Sequence, residues 1–193
     1  MPKPPFDHFR FIAPYYERLL HGLDVDPLRE RLVLPATGWL LDAGGGTGRV
    51  AQALRDSVDR VVVVDYSVGM LRQAAQKDGL HTVRGVSEWL PFPNDTFARI
   101  VVVDAFHHFH EHEQAVRELW RVLAPGGRLV IEEPNVDKFL VKLIAWGERL
   151  LLMRSRFFPP AQMAEMFARL GGHVEVDTDS RLNAWVIVEK RGA

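Results

Sequence analysis

The chain has 193 residues, of which 47% are hydrophobic and 25% are charged. This length suits one domain with its own core, and the composition excludes a disordered or collagen-like protein. The 24 Lys and Arg residues nearly balance the 25 Asp and Glu residues, so no global positive field is available to bind nucleic acid. The absence of cysteine excludes disulfides, thiolate metal sites and a cysteine nucleophile, and it fits an intracellular protein.

No membrane-spanning segment is expected. The sequence begins with no apolar run of signal-peptide length, and it contains no stretch of about 18 uncharged apolar residues. Residues 137–158 come closest to a membrane segment, but charged side chains interrupt them too often for a span. We therefore expect a cytoplasmic protein.

Four short apolar runs predict strands covered on both faces, because they are rich in β-branched residues and do not alternate with polar ones. The runs are residues 39–41, 61–64, 100–103 and 129–131. Segments with helical spacing lie between them, at residues 50–54, 68–75 and 115–123. This alternation predicts a parallel sheet with right-handed crossovers. Ser67 is placed to cap the second helix, and Pro125-Gly126-Gly127 to end the third.

The C-terminal part changes this pattern. A helix is predicted for residues 160–170, followed by two alternating strands at residues 173–177 and 184–190. The connection between these strands is too short for a parallel crossover, which needs about a dozen residues, so the strands should be antiparallel. We predict an α/β fold with a mostly parallel sheet that contains one antiparallel strand.

A glycine-rich turn follows the first predicted strand, in the sequence Asp42-Ala43-Gly44-Gly45-Gly46-Thr47-Gly48. Glycine lets the backbone turn sharply and approach a ligand, and the helix that follows offers unpaired N–H donors at its start. The next strand ends at Asp65, whose carboxylate can accept both hydroxyls of a ribose. Loop and carboxylate together predict a nucleoside site, whereas the loop alone would also fit a turn that only packs a strand against a helix.

The glycine spacing distinguishes between nucleoside ligands. The pattern is G-x-G-x-G, and Arg49 stands where the dinucleotide fingerprint G-x-G-x-x-G has its third glycine. A pyrophosphate-binding loop is therefore disfavoured, although a nicotinamide-dependent oxidoreductase stays open as an alternative.

Several segments resemble the class I S-adenosylmethionine-dependent methyltransferases, in particular the small-molecule branch that includes the ubiquinone and menaquinone biosynthesis enzymes. The resemblance covers nearly the whole chain. It rests on the glycine loop, the strand end Val64-Asp65-Tyr66-Ser67, and residues 6–7, 12–16, 70–71, 90–97, 104–108 and 122–127. It implies a Rossmann-like, seven-stranded sheet with helices on both faces, which together form a three-layer sandwich.

The resemblance also implies S-adenosylmethionine as the cofactor and S-adenosylhomocysteine as its product. Asp65 would bind the ribose hydroxyls, and Tyr66 and Met70 would pack on the adenine. The other residues implied to contact the cofactor are Asp42, Gly44, Gly46, Gly48, Ser87, Asp104 and Ala105. Family members often carry an acidic residue where this chain has Val86, so the adenine amino group would lose a charged acceptor and the cofactor would bind more weakly.

Two histidines near the end of the strand at residues 100–103 are candidate catalytic bases. Methyl transfer needs donor and acceptor held in line, and a base helps only if the acceptor loses a proton. His108 is the first candidate and His107 the second, with loop anchoring as the alternative role. The run from His107 to His112 also invites a metal site, but it lacks an i,i+4 pair on a defined helix, so no metal is predicted.

Three further segments bear on the acceptor side. Glu132 and Glu133 follow the strand at residues 129–131 and are expected to anchor a loop or to contact an acceptor hydroxyl or amine. Residues 137–158 are apolar and basic, which fits a lid over the acceptor, a membrane-surface contact, or a helix at the sheet edge or a dimer contact. Residues 1–36 should form an N-terminal helical cap within a single domain of residues 1–193.

The expected function is therefore the transfer of a methyl group from S-adenosylmethionine to a small, apolar or aromatic acceptor, at oxygen, carbon or nitrogen. A non-catalytic module that only binds S-adenosylmethionine is the main alternative. Nucleic acid is not expected as a partner, because the charge is balanced and no Asn-Pro-Pro-Tyr type of tetrad for a flipped base occurs. The sequence is compatible with a monomer or a homodimer, and with peripheral membrane contact.

Overall fold

The computed structural model describes residues 24–134, 156–178 and 183–192. Its helices are α1 (Asp26–Leu32), α2 (Arg49–Leu54), α3 (Val68–Ala74), α4 (His112–Val122) and α5 (Pro160–Ala168). Its strands are β1 (Trp39–Ala43), β2 (Arg60–Asp65), β3 (Leu80–Arg84), β4 (Phe97–Val103), β5 (Leu123–Pro134), β6 (His173–Thr178) and β7 (Asn183–Glu189). A short 3-10 turn at Phe106–His108 is called the histidine turn below. Most of the predicted N-terminal cap and of the segment 137–158 lies outside the described residues.

The seven strands form one sheet in the order β3-β2-β1-β4-β5-β7-β6. β7 runs antiparallel to both of its neighbours, and every other pair of neighbouring strands is parallel. The predicted mostly parallel sheet with one antiparallel strand is thus confirmed. The order of the strands reverses between β1 and β4, so the loops after these two strands diverge and leave a crevice at their C-terminal ends.

Apolar side chains cover both faces of the sheet, as the unbroken apolar runs predict. In β4, Ile100 and Val102 belong to the core on one face and Val101 to the core on the other, because successive strand residues point to opposite faces. The first core is completed by residues of α4 and α5, and the second by residues of α1, α2 and α3. Helix, sheet and helix therefore form the three expected layers.

The two predicted helix ends had different outcomes. Ser67 caps α3 as predicted, and its Oγ accepts a hydrogen bond from the N–H of Met70 at 3.4 Å. The third helix, predicted for residues 115–123, ends at Val122 as expected, but Pro125-Gly126-Gly127 lie inside β5. Leu123 already pairs with Phe97 of β4, so the chain joins the sheet before it reaches the proline.

The edge strand β3 was not predicted by an apolar run. Its five residues are half-buried or exposed, in contrast to the fully buried residues of the central strands. An edge strand pairs on one side only and its flanks are less covered, so it does not need an unbroken apolar sequence. The hydrophobic pattern therefore gave no signal for β3.

Candidate nucleoside and acceptor site

The glycine loop connects β1 to α2 at the C-terminal edge of the sheet. The N–H groups of Gly44 and Gly45 donate to the carbonyl oxygen of Val64 at 2.8 and 3.2 Å, which ties the loop to the end of β2. Gly44 and Gly46 have φ angles of +75° and +55°, a left-handed conformation that residues with a Cβ rarely adopt. The backbone path itself therefore requires glycine at these two positions.

The predicted loop glycines differ in their surroundings. A Cβ placed on Gly44 would lie 2.7 Å from Cβ of Ala105, and one on Gly48 would lie 2.8 Å from Cδ1 of Leu80. A Cβ on Gly46 would meet only Sδ of Met70, at 3.9 Å, among the residues that the structure describes. Gly44 and Gly48 are thus needed for packing inside the protein, whereas Gly46 borders open space.

Asp65 joins the glycine loop to the end of β2. Its Oδ2 accepts a hydrogen bond from the N–H of Gly46 at 2.9 Å, and its Oδ1 accepts one from the N–H of Ser67 at 2.7 Å. Each carboxylate oxygen can accept more than one hydrogen bond, so these contacts are compatible with ribose hydroxyls on the same group. The carboxylate predicted to bind ribose therefore lies directly beside the loop.

Asp42 lies beneath the loop. Its side chain is buried, and Oδ2 accepts a hydrogen bond from the N–H of Ala51 at 3.2 Å. Burial raises the pKa of the carboxyl from 3.8 to about 7, and the hydrogen bond from Ala51 partly opposes this shift. A Cβ on Gly45 would lie only 2.5 Å from Cγ of Asp42. Asp42 therefore supports the loop from below.

The remaining predicted cofactor residues lie at the same edge of the sheet, after β2, β3 and β4. Tyr66 follows β2 and is half-buried, and Ser87 follows β3 and is buried. Asp104 follows β4 with a φ of +50°, unusual for a residue other than glycine, and its Oδ2 lies 4.0 Å from Nη2 of Arg49. Ala105 packs against Gly44, as described above. The fold thus brings all of them to the crevice edge.

The described residues around the glycine loop fit an adenosyl ligand. Gly46 borders open space beside Met70, and the Asp65 carboxylate lies next to it. In addition, the buried hydroxyl of Thr47 has no hydrogen-bond partner within the described part of the chain. Sequence reasoning missed Thr47, although its place inside the glycine loop was a usable signal.

The histidine turn packs against the glycine loop. Cε1 of Phe109, just after the turn, lies 3.5 Å from the position that a Cβ on Gly44 would take. The start of the turn is held by Glu133 at the end of β5, whose Oε1 accepts a hydrogen bond from the N–H of Phe106 at 2.7 Å and whose Oε2 lies 2.6 Å from Nδ1 of His107. The expectation that one of the two glutamates anchors a loop thus holds for Glu133.

The residues after the turn are held by a second buried carboxylate, that of Glu88. It accepts hydrogen bonds from the N–H groups of His110 at 2.7 Å and of Glu111 at 3.3 Å, just before α4 begins. Sequence reasoning missed Glu88, whose only signal was an acidic residue between Ser87 and Trp89 after β3. The segment from Phe106 to Glu111 is therefore held at both ends by carboxylates from distant parts of the chain.

The two candidate bases differ in their environment. The ring of His107 is stacked on Phe157, with centroids 4.4 Å apart and an interplanar angle of 13°. The ring of His108 lies 4.0 Å from that of His107. Burial, and next the charge of His107, lower the pKa of His108 from 6.5 to about 3. His108 is therefore uncharged at neutral pH and a weak base.

An aromatic cluster surrounds the histidine turn. The ring centroid of Phe106 lies 5.5 Å from that of Phe109, 6.0 Å from Phe158 and 5.1 Å from His112. Burial is the main cause that lowers the pKa of His112 to about 4, so this ring is uncharged too. In the described residues, no group of three or more His, Asp or Glu side chains converges as a metal site. The side of the site next to the turn is thus apolar and aromatic.

Comparison with known proteins identifies a methyltransferase domain at residues 41–131, from β1 into β5, which includes the glycine loop and the histidine turn. One curated relative is the chloroplastic 2-methyl-6-phytyl-1,4-hydroquinone methyltransferase 1 of Oryza sativa subsp. japonica, 31% identical over 181 residues, with 88% of this chain and 53% of the relative covered. Another is a demethylmenaquinone methyltransferase of Thermus thermophilus, 37% identical over 139 residues, with 65% of this chain and 63% of the relative covered.

The fold agrees with a solved structure of an S-adenosylmethionine-dependent methyltransferase from Thermotoga maritima. The TM-score is 0.76 at 20% sequence identity, and the match covers 95% of this chain and 98% of that chain. The chain spans about half the length of the curated relatives it matches. These comparisons give no support to a nicotinamide-dependent oxidoreductase.

Proposed function

We propose that the chain transfers a methyl group from S-adenosylmethionine to a small aromatic acceptor that carries a hydroxyl group, since residues 41–131 match a methyltransferase domain. The observation that carries this proposal is the Asp65 carboxylate, held at 2.9 Å by the N–H of Gly46 beside the open space next to Met70. The names of the hydroquinone and demethylmenaquinone relatives favour a hydroxylated ring as the acceptor.

The cofactor would lie across the ends of the parallel strands. In the proposed arrangement Asp65 accepts the ribose hydroxyls, Tyr66 and Met70 pack against the adenine, and Ser87 faces its edge. The methionine end of the cofactor lies over the glycine loop and reaches toward Asp104 and Ala105. Support comes from the position of all these residues at one edge of the sheet.

When bound, S-adenosylmethionine supplies a methyl group whose bond to sulfur breaks as the acceptor atom bonds to it, with the electron pair staying on sulfur to give S-adenosylhomocysteine. The chain's own residues then have to hold the acceptor in line and to take up the proton that the acceptor loses. The aromatic cluster around Phe106 and Phe109 supplies an apolar surface for a ring. His108 and His107 are the candidate bases, and the proton passes on to solvent.

We further propose a location in the cytoplasm and a small molecule as the substrate, with no nucleic-acid partner. The lack of cysteine and the balanced charge support this. Within the described residues, no helix has the length and apolar character needed to cross a membrane. The apolar and basic composition of residues 137–158 keeps peripheral membrane contact open, and the sequence is compatible with a monomer or a homodimer.

The test measures S-adenosylhomocysteine formation with reduced 1,4-naphthoquinone as the probe acceptor, together with S-adenosylmethionine binding. Asp65→Ala should weaken cofactor binding by about tenfold or more, because hydrogen bonds to a charged group are lost. Asp59→Ala is the matched control, since Asp59 accepts a backbone hydrogen bond just before the opposite end of the same strand, from Gly38 at 2.7 Å. It should leave cofactor binding unchanged.

Two results would contradict the proposal. If the wild type does not bind S-adenosylmethionine, the family's cofactor is not used by this chain. If it binds the cofactor but methylates no member of a panel of hydroxylated aromatics, the non-catalytic binding module becomes the better explanation.

A further inference from the structure

Glu133 and His107 form a buried pair at the histidine turn. Their side chains are only 4% and 6% exposed, and Oε2 of Glu133 lies 2.6 Å from Nδ1 of His107. The other oxygen of the same carboxylate accepts the N–H of Phe106 at 2.7 Å. One carboxylate thus fixes both the backbone at the start of the histidine turn and the ring of its second residue.

The chemistry of this pair determines which ring nitrogen carries a proton. A carboxylate taken out of water is strongly unfavourable unless hydrogen-bond donors replace the water. An ionised carboxylate only accepts hydrogen bonds, so the ionised form of Glu133 requires Nδ1 of His107 as the donor. With Nδ1 occupied by its proton, proton exchange by His107 takes place at Nε2.

Arg156 and Phe157 contact the same histidine from other directions. The N–H of Arg156 donates to the carbonyl oxygen of His107 at 2.9 Å, and the next residue, Phe157, stacks on the imidazole. The ring is therefore held by a carboxylate at one nitrogen, by an aromatic face and through its own backbone.

We propose that Glu133 is a positioning residue of the methyl-transfer site, which keeps the proton of His107 on Nδ1 so that Nε2 takes up the proton of the acceptor hydroxyl. This inference rests on the proposed function. In the step, the acceptor O–H bond breaks, its electron pair stays on oxygen, and the proton binds to Nε2 of His107. His108, the first candidate from the sequence, has a pKa lowered to about 3 and is a weak base at neutral pH.

The test uses the full chain with 15N-labelled histidine, saturated with S-adenosylhomocysteine, and reads the tautomer of His107 by NMR at mildly alkaline pH. His107→Asn identifies its signals among those of the eight histidines. In the wild type, Nδ1 should be protonated and Nε2 unprotonated. Glu133→Gln should give a mixture of both tautomers, because an amide can donate to Nδ1 as well as accept from it.

Glu132→Gln is the matched control. This substitution removes the same charge from the neighbouring residue on β5, whose Oε1 accepts a hydrogen bond from Nδ2 of Asn183 at 2.6 Å. With reduced 1,4-naphthoquinone, Glu133→Gln should lower kcat by about tenfold to a hundredfold, with little change in KM for S-adenosylmethionine. Glu132→Gln should keep both the tautomer and kcat of the wild type.

The outcomes separate this inference from the proposed function. A wild-type His107 protonated on Nε2 instead of Nδ1 overturns the inference without any variant. Equal kcat values for Glu133→Gln and Glu132→Gln also overturn the inference. If the wild type binds S-adenosylhomocysteine, the proposed function then stays intact. If the wild type does not bind S-adenosylhomocysteine, the proposed function fails and the inference fails with it.

Discussion

The glycine loop and the histidine turn lie side by side at one edge of the sheet, yet they are built in different ways. The loop is shaped by its own backbone and by Asp42 and Asp65, which end the two strands adjacent to it. The turn is held by Glu133 and the segment behind it by Glu88, which lie 26 and 22 residues away from their partners. The glycines that shape the loop form a recognisable sequence pattern, whereas the acceptor side depends on side-chain contacts that no local pattern specifies.

The sharpest test of the loop compares two glycines that share a left-handed backbone. Gly44→Ala should lower the free energy of unfolding by about 4 kcal/mol, because backbone strain adds to the clash with Ala105. Gly46→Ala should lower it by only about 1 kcal/mol, because the substitution adds backbone strain but no clash, as its Cβ would enter open space. Urea denaturation measures both. Similar losses for the two variants would mean that the loop is not shaped by packing against Ala105.

Asp42→Asn tests the buried carboxylate under the loop. The pKa of Asp42 is raised to about 7 from 3.8, so the folded state retains a proton that the unfolded state loses. The free energy of unfolding should therefore decrease as the pH rises from about 4 to about 7. In Asp42→Asn this decrease should be smaller by about 3 kcal/mol. An unchanged pH dependence in urea denaturation would contradict the burial argument.

Glu88→Ala tests the long-range construction of the acceptor side. It should lower the free energy of unfolding by about 2 kcal/mol, because two backbone N–H groups lose a charged acceptor. Hydrogen exchange at the amides of His110 and Glu111 should become faster, while S-adenosylhomocysteine affinity stays near the wild-type value. Glu113→Ala, at a side chain that is 55% exposed, is the control and should be nearly neutral. Unaltered exchange in Glu88→Ala would show that Glu88 does not hold this segment.

Val86→Asp should have the smallest effect, on the cofactor side. Val86 is 38% exposed after β3, and an acidic residue there would give the adenine amino group a charged acceptor. We expect S-adenosylhomocysteine to bind about fivefold more tightly, with no change in Val86→Ala. Calorimetric titration measures both. A loss of affinity in Val86→Asp would place the adenine elsewhere.

The difference between the glycine loop and the histidine turn also explains which features could be predicted from the sequence. The central strands, the antiparallel β7 and the neighbouring positions of the glycine loop and Asp65 follow from apolar runs, connection length and glycine spacing. β3 was missed because an edge strand needs no continuous apolar run. The place of Pro125-Gly126-Gly127 inside β5 was missed because Leu123 already pairs with β4 before the chain reaches the proline. The partners of Glu88 and Glu133 could not be predicted, because nothing local specifies which distant backbone groups a buried carboxylate will meet.

Calorimetric titration of S-adenosylhomocysteine into the wild type, Gly46→Ala and Glu133→Gln tests most directly whether the nucleoside site is built separately from the histidine turn. The account predicts saturable binding to the wild type, a loss of about tenfold or more in Gly46→Ala, and nearly wild-type affinity in Glu133→Gln. No binding to the wild type, or an equal loss in both variants, would contradict a nucleoside site that is built separately from the histidine turn.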